Sequence, residues 1–167
     1  MTDSTALWDT LWSNDPTVGT VGDWNISSAD ELANSGGFQN VDPIGTAVLL
    51  ALFTDARLPD YMVGRFGFTR ADQQEWHGNT VAVDRAAGEE PLGSLLWTLR
   101  RAPLSKYTAR MAEHFTAMAL QPLIRQKIVR GFEITAEIDK ANSRLSIHIR
   151  TLADFEREWV ADLYPIQ

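Results

Sequence analysis

Phe132-Glu133-Ile134-Thr135-Ala136-Glu137-Ile138-Asp139, a pause at Lys140 to Ser143, then Arg144-Leu145-Ser146-Ile147-His148-Ile149-Arg150: this stretch decides the fold. Apolar and polar residues alternate strictly, so Phe132, Ile134, Ala136 and Ile138 share one face of a strand, and Leu145, Ile147 and Ile149 one face of the next. The pattern predicts an antiparallel hairpin over 132–139 and 144–151 with one wet face. Glu158 to Tyr164 is a candidate third strand, expected over 157–164. With no following segment to cover it, its outer edge would be open to a partner strand.

Working toward the N-terminus, Ser105 is a natural cap for a long helix. Tyr107, Met111, Phe115, Met118 and Ala119 recur at helical spacing, the stripe expected to cover a sheet. Gln121-Pro122 predicts a kink or restart, and Leu123, Ile124 and Ile128 carry the apolar face on, giving a helix at about 105–128. Leu92 to Arg101, closed by Pro103, reads as a shorter helix containing a core Trp97. Asp42-Pro43 reads as N-cap and first helical position, and Ile44 to Phe53 then supplies a mostly buried helix over 43–54 that ends before Pro59. Residues 55–91 form a long connection with four glycines and two prolines, a kind of segment that is usually functional or a linker. The first forty residues are rich in Asp, Ser, Asn, Thr and Gly, with Trp8, Trp12 and Trp24 scattered among them. They read as an extended arm with short strands, one near Val21 to Ile26, and the tryptophans as interface anchors. The expected class is α+β, with helices packed on a small antiparallel sheet. Residues 1–40 form an arm and 41–167 a single domain.

Composition narrows the chemistry. A chain of 167 residues with 44% hydrophobic content can bury a core as one domain. A net charge of −7 argues against nucleic acid as a direct partner. Cysteine is absent, which removes disulfides and thiolate sites and fits a reducing cytoplasm. The N-terminus lacks the look of a signal peptide, and the longest apolar run, Ala47 to Phe53, is far too short to span a bilayer. His77, His114 and His148 share no ligand spacing, so no metal is expected. Glu89-Glu90 and the Glu156/Glu158 pair read as solvated charges in preference to a glycosidase pair. The glycines fit neither nucleotide-binding pattern, and no Gly-x-Ser-x-Gly turn is present, so neither cofactor nor nucleophile is expected.

Three blocks in order carry a resemblance: Asp42-Pro43-Ile44-Gly45-Thr46-Ala47-Val48-Leu49-Leu50-Ala51-Leu52-Phe53-Thr54-Asp55; Trp76-His77-Gly78-Asn79; and Leu92-Gly93-Ser94-Leu95-Leu96-Trp97-Thr98-Leu99-Arg100-Arg101-Ala102. With the long helix and hairpin, they make about residues 20 to 152 resemble the Mu-like phage baseplate proteins, relatives of the small wedge protein that initiates the sheath of contractile tails. The resemblance implies structural work without catalysis, in a virion tail baseplate assembled in the host cytoplasm. Its partners would be the tail sheath protein, other wedge proteins and hub or tube-proximal proteins, in a sixfold hetero-oligomer with neither nucleic acid nor membrane. It further implies that sheath arms add to the last strand, around Trp159, Ala161, Leu163 and Tyr164, while Trp8, Trp12 and Trp24 reach a neighbouring wedge protein. Many relatives carry a Glu-Pro-Arg turn after the first helix; here Thr54-Asp55-Ala56-Arg57-Leu58-Pro59 stands there, and Arg57 with Asp55 is expected to take over its buried ionic role. Some members of the wider family are labelled lysozyme-like, which makes a peptidoglycan-cleaving enzyme the alternative.

Overall fold

The computed structural model describes residues 10–15, 19–24, 43–73, 75–81, 83–84, 86, 89–152 and 157–164. Contacts divide the chain into two compact units, 1–49 and 50–167. In the first, β1 (Thr10–Asp15) and β2 (Gly19–Trp24) pair antiparallel from Thr10↔Trp24 to Asp15↔Gly19. The strand expected near Val21 to Ile26 is thus β2, and it has a partner.

Helix α1 (Pro43–Phe53) starts at the expected proline; Asp42, the expected cap, lies outside the described residues. Its sequence is apolar nearly all round, as a buried helix requires, and Val48, Ala51 and Leu52 are buried. The connection that follows is pinned by specific bonds. Short 3-10 turns form at Asp60–Met62 and Arg70–Asp72, and α2 (Gly78–Val81) is a single helical turn. Buried Asn79 donates to Leu92 O and accepts from Leu92 N–H, both at 2.9 Å, clamping two distant points of the loop. Leu58, Met62 and Phe68 fill the core beneath it. Phe68 meets Trp97 edge-on at 5.1 Å, with the Arg101 guanidinium 4.5 Å from its centroid. Trp97 is only half-buried, because its indole N–H reaches out to Ala56 O.

The helix expected over 92–101 is shorter and tighter: a 3-10 helix over Leu96–Arg101. Residues 93 and 94 are spent on a parallel bridge between Ser94 and Asp55, with Ser94 N–H donating to Thr54 O and Ala56 N–H to Ser94 O. Gly93 turns the chain into it at φ +125°. Leu95 serves as N-cap, and six residues then remain before Ala102, which is extended ahead of Pro103.

Helix α3 (Lys106–Arg125) begins at Ser105, whose hydroxyl accepts from Thr108 N–H. It runs through Pro122 without restarting and ends three residues short of the expected 128. There Lys127, in a left-handed conformation at φ +60°, closes the end with bonds from Lys127 N–H to Ile124 O and Ile128 N–H to Leu123 O. The stripe it buries is Thr108, Ala109, Ala112, Phe115, Thr116, Ala119, Leu120 and Leu123. Tyr107 and Met118, expected inside, are 57% and 51% exposed. Small residues face the sheet because α3 lies against β3 and, less extensively, β4. The sheet is β3 (Phe132–Asp139), β4 (Arg144–Thr151) and β5 (Glu158–Leu163), antiparallel in the order β3-β4-β5. Leu145, Ile147 and Ile149 of the central strand are buried to 1% exposure or less, the hydrophobic centre that the alternation predicts. The fold is α+β, helices on a small antiparallel sheet.

Candidate strand-docking edge

The site follows from hydrogen-bond phase. In an antiparallel pair, residues alternate between exchanging both backbone bonds with their opposite number and pointing both groups away. Thr151 N–H donates to Arg157 O, so the odd-numbered residues of β4 bond to β5. Leu152 N–H donates to Gly131 O, so the even-numbered ones bond to β3. On β5, therefore, Trp159, Ala161 and Leu163 are spent on the ladder, and the N–H and C=O groups of Glu158, Val160 and Asp162 point out of the sheet. On β3 the outward residues are Phe132, Ile134, Ala136 and Ile138.

The two edges are treated differently. At the middle of the β3 edge, Glu113 of α3 brings its carboxylate to Ala136 N–H at 3.0 Å, filling the position that a partner's carbonyl would take. The β5 edge has no strand beside it among the described residues.

Side chains hold β5 in place. Trp159, Ala161 and Leu163 lie on the same face as Ile149, Ile147 and Leu145, and Ala161 is buried. On the opposite, polar face, Arg144 bridges Asp139 at 3.2 Å and Asp162 at 3.0 Å, and Asp162 also accepts from Ser146 Oγ at 2.5 Å. Tyr164 shares a hydrogen bond with Arg144. This bond and then the Asp162 charge hold the guanidinium above its usual pKa. Asp139 is held below the usual carboxylate range, first by the side-chain and backbone bonds from Asn142 and then by Arg144. Farther along, Glu133 pairs with Arg150, and His148 Nδ1 lies 4.0 Å from Glu158 Oε1. These polar residues border a shallow depression of about 500 Å³ lined by Glu137, Asp139, Arg144, Ser146, His148, Val160 and Asp162. Val160 is 56% exposed, the one apolar side chain that β5 turns to this face. Among the described residues, no group of three or more His, Asp or Glu is arranged to hold a metal ion.

Of the residues expected at the edge, Trp159, Ala161 and Leu163 turn their backbone groups inward, and Tyr164 is exposed beside Arg144. The outward groups belong to Glu158, Val160 and Asp162, which only the register reveals. Trp12 sits on β1 opposite Gly22 and Trp24 on β2 opposite Thr10; Trp8 lies outside the described residues. Asp55 and Arg57 are both exposed and form no ion pair with each other, so the buried ionic role expected of them is absent. The turn is held by backbone instead, through the bridge to Ser94 and a bond from Trp76 N–H to Asp55 O at 3.3 Å. Glu113 escaped the sequence reading. Its signal was a carboxylate among the outward cations Lys106, Arg110 and Arg125 of the same helix.

A family model described as Phage protein GP46 matches residues 44–162, well over half of the chain. No curated protein and no solved structure is matched.

Proposed function

The chain belongs to the family of phage protein GP46, and from that membership we propose that it is a structural component of the baseplate wedge of a contractile phage tail, starting the sheath by accepting a sheath subunit's strand on β5. The observation that carries this reading is the asymmetry of the sheet, with one edge occupied by Glu113 and the other presenting Glu158, Val160 and Asp162 outward. An added strand gains main-chain bonds along a border already fixed by Ala161 in the core and Asp162 on Arg144, so little ordering is needed on docking. Each ladder bond is worth only about 1 kcal/mol net. Several must break together before a subunit leaves, which suits a joint that survives contraction.

In this reading the work is structural, without catalysis, and the protein sits in the virion baseplate among wedge and hub proteins in sixfold arrangement. Trp8, Trp12 and Trp24 anchor the N-terminal segment on a neighbour. The test is nucleation of sheath by the purified protein with the sheath subunit of the same phage, followed by electron microscopy. Val160→Pro removes an outward N–H without touching a bond to β4, so the protein should fold and nucleation should be lost. Undiminished nucleation by that variant would reject the edge, and clearing of peptidoglycan by the wild-type protein would reject the non-catalytic role.

A further inference from the structure

The chain's charge is unevenly placed. Before Arg57 it contains eight carboxylates and no Lys or Arg, whereas the remainder carries 14 acidic and 15 basic side chains, so the whole net charge of −7 comes from the N-terminal segment. The outward face of α3 is the complement. It presents Lys106, Arg110 and Arg125, with Lys127 just beyond the helix end, around the exposed side chains Tyr107 and Met118. Glu113 has left that face for the sheet edge, and Arg125 alone among these cations has a carboxylate partner, Glu90, among the described residues. A 20-residue helix runs about 30 Å, longer than the six-residue strands of the β1–β2 hairpin.

We infer that this face of α3 docks the acidic, tryptophan-bearing segment 1–42 of a second copy of the chain. Carboxylates Asp3, Asp9, Asp15 and Asp23 match the cations, and Trp8, Trp12 and Trp24 match Tyr107, Met118 and the Arg110 guanidinium. An acidic front on one copy meeting a basic face on the next is a head-to-tail contact, the kind that closes into rings. The inference rests on the ring arrangement of the proposed function and is independent of the β5 edge.

Equal amounts of unlabelled and 15N-labelled full-length protein, mixed and treated with a carbodiimide, test it, because the reagent joins a carboxylate directly to a lysine amine. The chain has three lysines, Lys106, Lys127 and Lys140, and exposed Lys140 in the β3–β4 turn is the internal control. The expected products are labelled–unlabelled pairs joining carboxylates of residues 3–42 to Lys106 and Lys127 in preference to Lys140. They should disappear in high salt and in Arg110→Glu, an exposed substitution whose folding circular dichroism verifies. Links confined to single copies, equal linkage to Lys140, or pairs that persist in both high salt and Arg110→Glu would overturn the inference. Because no sheath protein is present, its failure is distinct from failure of sheath nucleation.

Discussion

Gly93→Ala is the sharpest test of how the loop is fastened to the core. A Cβ at this position would lie 2.8 Å from Thr54 O and 2.9 Å from Ala56 N, closer than real Cβ atoms come to backbone. Those two atoms make the bonds that tie Ser94 to the end of α1, from Ser94 N–H to Thr54 O at 2.9 Å and from Ala56 N–H to Ser94 O at 3.0 Å. The clash cannot be relieved by a rotamer, since both partners are main chain. Losing the two bonds costs about 1 kcal/mol each, and holding alanine at φ +125° about 1–3 kcal/mol more, a total near 3–5 kcal/mol. For a chain of this size that is a fall of roughly 10 °C in melting temperature. Gly64→Ala is the control. Its φ is +87° but no atom lies within 4 Å of the added Cβ, so only the conformational cost, about 1–2 kcal/mol, applies. Urea denaturation followed by circular dichroism compares the pair, and equal losses for both would refute the reasoning.

Glu113→Ala should cost about 1–2 kcal/mol, because Ala136 N–H loses its charged acceptor. It should also open the β3 edge and increase self-association, read by sedimentation velocity. Asp139 and Asp72 both have folded pKa values below 3.8, Asp139 through Asn142 and Arg144 and Asp72 through the Thr69 capping box and Arg101. A depressed carboxylate stabilises the fold above its unfolded pKa and loses that contribution as pH falls through the folded value. The urea midpoint should therefore decline as pH passes below 3.8, and less steeply in Asp139→Asn.

The strands were legible because period two leaves little choice: 132–139 and 144–151 match β3 and β4 residue for residue. Helix α3 was legible in place but not in face. Its buried stripe includes Thr108, Ala109, Ala112 and Thr116, small residues that bring a helix close to a sheet, whereas a reading by size assigned Tyr107 and Met118 to the core. The 3-10 form of Leu96–Arg101 was hidden because it depends on a bridge to Asp55, about forty residues away in sequence. The candidate edge was visible as a segment, but not as atoms. Which residues of β5 turn their amides outward is a property of register with β4, and the blocking of the opposite edge depends on one carboxylate crossing from another element.

Residue-resolved amide hydrogen exchange on β5, with and without the sheath subunit, measures the central claim most directly. In the isolated protein the amides of Glu158, Val160 and Asp162 should exchange rapidly while those of Trp159, Ala161 and Leu163 are protected. Adding the sheath subunit should slow the first set. Protection of Glu158, Val160 and Asp162 before any partner is present, or no change in them when sheath assembles, would contradict the account.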